Sequence, residues 1–264
     1  AILLPLLLII SVTTSTSTVA QAGGEHVEGI VGSPLYINPL LASFNEADKD
    51  LASLVFSGLT RINGKGEAAP DLARDWTISP DGLDYTFWLR SGITWHDGTR
   101  FTSEDVLFTI QTIQKPDFPG SPDLANAWKG VKTEKLDDLT VRFTLPEPSG
   151  PFLAQTALGI VPAFILAKVP VSDLTKSPFN LNPVGTGPYK VQEATAQAVV
   201  LDANPVYHLS APFLSRITFL FFPTQEALVK ALKENKVAGA TLRSPSPADL
   251  SAFEKDTALK LYRA

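Results

Sequence analysis

The chain has few residues that could act chemically on a bound molecule. Its histidines, His26, His96 and His208, are far apart in the sequence, and none lies in an H-E-x-x-H or other spacing typical of metal ligands. The best local acid–base pair is His96-Asp97, but Asp97-Gly98 is also the dipeptide of a tight hairpin turn. We therefore interpret the pair as part of a turn and predict neither a metal site nor a cofactor.

Two adjacent carboxylates, Glu104 and Asp105, are a second candidate for acid–base chemistry. Adjacent side chains on a helix point in different directions, and Asp105 follows Thr102 by three positions, the spacing of a helix capping box. The chain also has no cysteine and no G-x-S-x-G motif, so the usual thiolate and serine nucleophiles are missing. The sequence therefore predicts a protein that is not an enzyme.

The run Gly185-Thr186-Gly187-Pro188-Tyr189 is glycine-rich, and glycine-rich turns can cradle a phosphate with their backbone N–H groups. A phosphate loop would require a helix that starts with Lys and Ser or Thr directly after the glycines. Residues 189–203 instead alternate as a pair of strands with a turn near Ala196 and Gln197. We predict that the glycines permit a tight bend. The formal net charge of −5 also argues against nucleic-acid binding, which needs a basic surface.

The elements that position these residues are easiest to recognise between residues 76 and 113. Ser79-Pro80-Asp81-Gly82 is a turn sequence, and apolar residues then alternate with polar or amphipathic ones from Leu83 to Leu89, as in a strand with one buried face. A short second strand is predicted at 93–95. Thr102 then caps a helix whose apolar face carries Val106, Leu107, Ile110 and Ile113.

Similar patterns predict the remaining elements. The sequence indicates a strand at 28–32, a capped helix from Asn45 to Phe56, a strand at 59–62 and a hairpin at 131–145. It further predicts helices at 152–158, after Thr224 and after Ser246, and a strand at 259–262.

The first 22 residues form a separate segment. An apolar run is followed by Thr and Ser and then by Ala20-Gln21-Ala22, which is typical of a secretory signal with an A-x-A cleavage site. An uncleaved membrane anchor is the alternative, although the apolar run alone is too short to span a bilayer. Both interpretations predict that the rest of the chain is exported.

Two blocks of sequence resemble the family 5 extracellular solute-binding proteins, the oligopeptide, dipeptide and nickel receptors of ABC importers. The first block extends from Ala73 to Val106 and includes Trp95-His96-Asp97-Gly98, and the second contains Val184–Val191 with Gly185-Thr186-Gly187-Pro188-Tyr189. The stretch 204–222 agrees as well. The resemblance covers about residues 25–240. It implies that the two signatures, at 95–98 and 185–189, maintain the structure and do not contact the ligand.

The resemblance implies an α/β fold of the type II periplasmic-binding-protein kind, with mixed sheets, flanking helices, two main lobes and a small extra lobe. Residues 23–56 and 146–223 would form the first lobe, 57–145 the small lobe and 224–264 the start of a second main lobe that is largely missing from this sequence. Ala238 stands where the family usually has an aspartate, so a polar contact of that residue is not expected here.

The resemblance also implies the function. An extended peptide would add to the exposed edge of the strand at 28–32 and meet the backbone of Val31, Gly32 and Ser33. The lobes would close around it, and a monomeric receptor would deliver it to permease subunits, in the periplasm or at the outer face of the membrane. Nickel chelates or oligosaccharides are alternative ligands, and a secreted hydrolase or a surface-interaction protein is an alternative function.

Overall fold

The structure is a computed structural model that describes residues 23–242 and 246–255. The predicted export segment at 1–22 and the predicted strand at 259–262 lie outside these residues. The strands are β1 (Glu25–Val31), β2 (Thr60–Ile62), β3 (Ala68–Pro70), β4 (Ala73–Ile78), β5 (Asp84–Leu89), β6 (Lys132–Asp137), β7 (Thr140–Thr144), β8 (Tyr189–Ala194), β9 (Ala198–Ala203), β10 (Arg216–Phe222) and β11 (Gly239–Ala240). The α-helices are α1 (Glu46–Val55), α2 (Ser103–Ile113), α3 (Pro122–Ala127), α4 (Phe152–Gln155), α5 (Ala163–Leu166), α6 (Gln225–Lys233) and α7 (Pro247–Lys255), and short 3-10 helices occupy Ala42–Phe44, Val171–Lys176 and Pro178–Asn180.

Two larger sheets organise the fold. The first has the strand order β11-β1-β10-β9-β8 and is mixed, because β1 runs parallel to both β10 and β11 while the other pairs are antiparallel. The second has the order β4-β5-β7-β6 and is antiparallel throughout, and β2 and β3 form a small hairpin of their own. Strands of the second sheet all come from residues 73–144, a stretch that the proposed division assigns to the small lobe.

The alternation predicted around β5 is confirmed. Tyr85, Phe87 and Leu89 are buried, while the intervening side chains are half-buried. Phe87 and Phe143 of the paired strand β7 meet edge to face, with ring centroids 5.7 Å apart. This buried face forms a large part of the hydrophobic core, because each aromatic side chain removes a large apolar area from water.

The predicted capping box at the start of α2 is also confirmed. The Thr102 hydroxyl accepts the N–H of Glu104 at 3.3 Å, and the backbone N–H of Thr102 donates to Asp105 Oδ2 at 3.0 Å. Asp105 Oδ1 accepts the N–H of Ala163 at 3.0 Å, so the same carboxylate ties α2 to α5. Burial raises the pKa of Asp105, against the lowering effect of these hydrogen bonds. Both carboxylate oxygens of Asp105 therefore have a structural role.

Three local predictions are wrong in extent. The segment 93–95 forms an isolated bridge between Thr94 and Arg100 instead of a strand, because the Asp97-Gly98 turn brings the chain back after too few residues for a ladder. The helix predicted at 152–158 ends at Gln155. The predicted exposed edge at β1 is partly covered, since β11 pairs with Glu28 and Gly29.

A set of hydrogen bonds, which we call the His96 clasp, joins the segment after β5 to the loop before β8. The N–H of Gly185 donates to His96 Nδ1 at 3.2 Å, and His96 Nε2 lies 3.0 Å from the carbonyl oxygen of Gly187. Because Nδ1 accepts, the proton of the neutral ring is on Nε2 and is donated to Gly187. The backbone N–H of His96 donates to the Gly185 carbonyl at 2.9 Å, and Asn204 Nδ2 donates to the Gly187 carbonyl at 3.1 Å.

The glycines of the clasp are required by close packing. A Cβ atom at Gly185 would lie 1.9 Å from the carbonyl oxygen of Val55, and one at Gly187 would lie 2.5 Å from its carbonyl carbon. The N–H of Gly187 donates to that same Val55 oxygen at 2.8 Å. The predicted bend occurs at residues 186–188. Neither glycine has a positive φ angle, so close packing and not backbone conformation is the reason for the glycines. They allow the loop to lie directly against the C-terminal end of α1.

We expect Gly185→Ala to lower the free energy of unfolding by about 3 kcal/mol, because the new methyl group meets backbone that cannot move aside. Gly64→Ala is the matched control, since a Cβ there has no neighbour within 4 Å and should change the stability by less than about 0.5 kcal/mol. Urea denaturation followed by circular dichroism measures both. Equal stabilities of the two variants would contradict the packing argument.

The His96 clasp also predicts a pH dependence of stability. Burial lowers the pKa of His96, against the opposing effect of its hydrogen bond to Gly187. The unfolded chain therefore binds this proton more readily, so the stabilisation is complete above the unfolded pKa of about 6.5 and is lost as the pH falls below it. His96→Ala should cost about 2 kcal/mol at pH 7.5, because the Gly185 N–H loses its acceptor and the Gly187 carbonyl loses one of its two side-chain donors.

The difference in stability between the wild type and His96→Ala should shrink between pH 7.5 and pH 5. Asn204→Ala is the control, because Asn204 donates to the same Gly187 carbonyl but does not titrate. Its effect should stay constant over this range. A pH-independent effect of His96→Ala would show that folding does not lower the pKa of His96.

Candidate functional site

A groove of about 680 Å³ lies between the carboxyl end of β1 and the N-terminal part of α1. Residues 28–33 form one wall, residues 43–50 contribute the other, and Gln225 and Thr241 complete the lining. This volume is in the range of small-molecule and peptide sites. The predicted ligand-binding residues Val31, Gly32 and Ser33 all line it.

Part of the β1 edge along the groove is paired with β11, and part is open. Pairing with β11 covers Glu28 and Gly29, but beyond Gly29 no β11 partner is found in the described part of the chain. Val31, Gly32 and Ser33 are exposed, with 42% of Val31 accessible to solvent. The open part of the strand edge is therefore short and coincides with the groove.

Hydrogen-bond directions distinguish the three predicted residues. The N–H of Gly32 donates to the carbonyl oxygen of Phe222 in β10 at 2.9 Å, so it is already used within the sheet. Backbone groups of successive strand residues point to opposite sides, and the N–H of Val31 therefore points toward the β11 side. Gly32 also has a φ of +110°, a conformation that favours glycine and ends the regular strand at this point.

Asp48 holds the loop that follows this edge. Its Oδ1 accepts the N–H groups of Leu35 and Tyr36 at 2.8 and 2.9 Å, and its Oδ2 accepts Asn45 Nδ2 at 2.7 Å. Burial raises the pKa of Asp48, although the hydrogen bonds partly offset this effect. The role of Asp48 was not predicted from the sequence. The available signal was its position three residues after the helix cap Asn45, where a carboxylate can bond to nearby backbone.

The groove carries more negative than positive groups. Glu28, Glu46 and Asp50 line it together with Lys49, whose Nζ lies 3.3 Å from Glu46 Oε1. The pKa of Asp50 is raised, first by burial and then by repulsion from Glu46 and Glu28. This repulsion shows that the carboxylates act on one another, and the groove therefore favours a positively charged group.

The two sequence signatures lie away from the groove. Trp95 is buried and packs edge to face against Phe101 and Phe164, and the Asp97-Gly98 turn is closed by a hydrogen bond from Gly98 N–H to the Trp95 carbonyl at 2.8 Å. The remaining signature residues, Gly185, Thr186, Gly187, Pro188 and Tyr189, lie in the loop of the His96 clasp and the first position of β8.

The other candidate residues do not converge on the groove as a reactive centre. His208 Nε2 lies 2.6 Å from Asp71 Oδ1 in a buried pair, and His26 pairs with Glu28 at 2.8 Å. No group of three His, Asp or Glu residues with a geometry suited to a metal ion occurs in the ranges 23–242 and 246–255. Over the same ranges, no helix combines the length and apolarity needed to cross a bilayer.

The mixed five-stranded sheet and the smaller antiparallel sheet, with their flanking helices, define a type II periplasmic-binding-protein fold. Residues 67–264 match the family model of the bacterial extracellular solute-binding proteins, family 5 Middle. The chain belongs to this family, and the fold class predicted from its sequence is confirmed. The family and the relatives described below are binding proteins and not enzymes.

Curated relatives support this assignment. The chain is 31% identical to the oligopeptide-binding protein AppA of Bacillus subtilis over 222 residues, which are 82% of this chain and 40% of AppA. It is 30% identical to the dipeptide-binding protein of Escherichia coli over 252 residues, which are 87% of this chain and 46% of that protein. The chain therefore spans less than half the length of these relatives.

Solved structures agree in fold. The structure of AppA from Bacillus subtilis in complex with a nonapeptide superposes with a TM-score of 0.82 at 30% identity, covering 89% of this chain and 47% of AppA. NikZ from Campylobacter jejuni in complex with Ni(L-His) gives a TM-score of 0.79 at 30% identity, covering 88% of this chain and 45% of NikZ.

We expect Asp48→Ala to lower the free energy of unfolding by about 3 kcal/mol, because the N–H groups of Leu35 and Tyr36 lose their acceptor. Amide hydrogen exchange should accelerate at these two residues. The N–H of Phe56, which bonds to Ala52 at the other end of α1, should keep most of its protection. Unchanged exchange at Leu35 and Tyr36 would show that Asp48 does not hold the loop.

Proposed function

We propose that this protein is the extracytoplasmic receptor of an ABC importer and that it binds peptides in the groove at the end of β1. The observation that carries the proposal is the open strand edge around Val31, which lies inside a groove of suitable size. A peptide that adds to this edge is held mainly by its backbone. Such binding tolerates different side chains, as a peptide receptor requires.

The charges that line the groove favour positively charged peptides. Glu28, Glu46 and Asp50 attract a positively charged group, and their mutual repulsion is relieved when such a group binds. The α-amino group of a peptide or a basic side chain provides this charge. We therefore infer that peptides with a net positive charge bind better than acidic peptides of the same length.

The wider mechanism is hinge closure. Residues 23–56 and 146–223 act as one main lobe, 57–145 as the small lobe and 224–264 as the beginning of the second main lobe. Closure of the main lobes around the peptide creates the form that the permease subunits recognise. The protein acts as a monomer in the periplasm or at the outer face of the cytoplasmic membrane, and its function requires no cofactor and no nucleic acid.

The test compares a peptide with its N-methylated form in calorimetric titrations of the purified protein. Methylation of alternate backbone nitrogens removes hydrogen bonds to the strand edge without altering the side chains. It should weaken binding by at least about tenfold, because several backbone hydrogen bonds contribute about 1 kcal/mol each. Equal affinity of the two peptides would contradict strand addition.

A matched pair of variants locates the contact. Val31→Pro removes the N–H on the open, β11 side of the strand, whereas Val31→Ala changes only the exposed side chain. The first should weaken peptide binding and the second should preserve it, with unfolding curves confirming that both variants fold. Release of peptide fragments would instead support a hydrolase, and tighter binding of a nickel–histidine complex or an oligosaccharide would support those alternative ligands.

A further inference from the structure

A second cavity of about 380 Å³ lies where the two larger sheets meet, apart from the groove at β1. Arg74 on β4 and Arg90, directly after β5, contribute from the antiparallel sheet. Thr186, before β8, and Asn204, directly after β9, contribute from the mixed sheet. We call it the junction cavity. A molecule bound there would contact both sheets at once.

The junction cavity is lined by two guanidinium groups and by no carboxylate. Neither Arg74 nor Arg90 forms an ion pair with any residue within 23–242 or 246–255. Arg90 Nε donates to the backbone carbonyl of Asp71 at 2.8 Å, which fixes the position of its side chain. The Asp71 carboxylate itself is occupied by His208, 2.6 Å away. Neither guanidinium group is thus paired directly with a carboxylate of the described residues, and the neighbouring Asp71 carboxylate is hydrogen-bonded to His208 instead.

An unused hydroxyl group adds to this arrangement. Thr186 is 1% exposed, and its Oγ1 has no hydrogen-bond partner in the part of the chain that the structure describes. Buried hydroxyl groups are nearly always hydrogen-bonded, because an unsatisfied one costs free energy. Asn204 and Tyr207 provide further polar groups around the same space.

We propose that the junction cavity binds a small oxyanion, of the phosphate or carboxylate class. A guanidinium group offers parallel N–H donors that match two oxygens of such an anion. Two of them at one small cavity, with a hydroxyl donor close by, suit an anion that carries at least two acceptor oxygens. The bound anion links the two sheets and stabilises their relative position. This site is independent of the peptide groove and of the proposed transport function.

The experiment is a thermal unfolding series with sodium phosphate or sodium malonate as the probe, compared with sodium chloride at the same ionic strength. An anion that binds only the folded protein raises the midpoint of unfolding as its concentration increases. A rise with phosphate alone assigns the phosphate class, and a rise with malonate alone assigns the carboxylate class. A rise with both supports the shared oxyanion chemistry, whereas no rise beyond that in chloride overturns the proposal.

Arg74→Gln is the decisive variant, because Arg74 is exposed and makes no ion pair with the described residues. It should weaken anion binding by about tenfold or more. Lys65→Gln removes the same charge from an exposed turn outside every cavity described above and should leave anion binding unchanged. Equal loss in both variants would indicate a general charge effect and overturn the site.

Thr186→Val tests the hydroxyl group separately. Valine keeps the shape of threonine but cannot donate a hydrogen bond, so anion affinity should fall while the protein without anion remains at least as stable as the wild type. Peptide binding at the β1 groove should be unaffected by either cavity variant, which separates this proposal from the proposed receptor function. Unchanged anion affinity in both Arg74→Gln and Thr186→Val would contradict the site.

Discussion

The close contact between the 185–187 loop and the last turn of α1 is the constraint on which the rest of the structure depends. The Val55 carbonyl accepts the N–H of Gly187, and the space on this side of the loop excludes any Cβ atom. On its other side the loop is held by both ring nitrogens of His96. A few hydrogen bonds therefore fix three parts of the chain to one another: the segment after β5, the loop before β8 and α1.

This contact also explains why the junction between the sheets contains so many polar groups. Backbone N–H and carbonyl groups that lie this close together cannot be solvated, so each needs a partner within the protein. His96 and Asn204 provide such partners for Gly185 and Gly187. The buried imidazole remains neutral because a charged ring would have to donate from Nδ1, where the Gly185 N–H already donates.

Much of the fold could be predicted from local sequence. The period-2 pattern of β5 and the caps Asn45, Thr102 and Thr224 act between neighbours in the chain, and each appears in the structure as expected. The two-residue pairing of β11 with β1 could not be predicted, because it joins residues far apart in sequence and has almost no pattern of its own. Because of this pairing, the edge of β1 that was expected to be open is partly covered.

The candidate site was predicted only in part, for the same reason. The resemblance pointed to Val31, Gly32 and Ser33, and the structure places all three on one groove. It could not indicate that the Gly32 N–H is already bonded within the sheet, nor that Asp48 holds the adjoining loop. The reason for the two clasp glycines, a contact with a helix about 130 positions earlier in the chain, is also invisible to local reasoning.

The position of α1 has a mechanical consequence. Its first turn carries Asp48, which holds the groove loop, and its last residue, Val55, supports the clasp. A ten-residue helix is a stiff rod about 15 Å long, so its two ends cannot shift independently. A force applied at the groove is transmitted along this rod to the junction of the sheets, and α1 works as a strut between the groove loop and the His96 clasp.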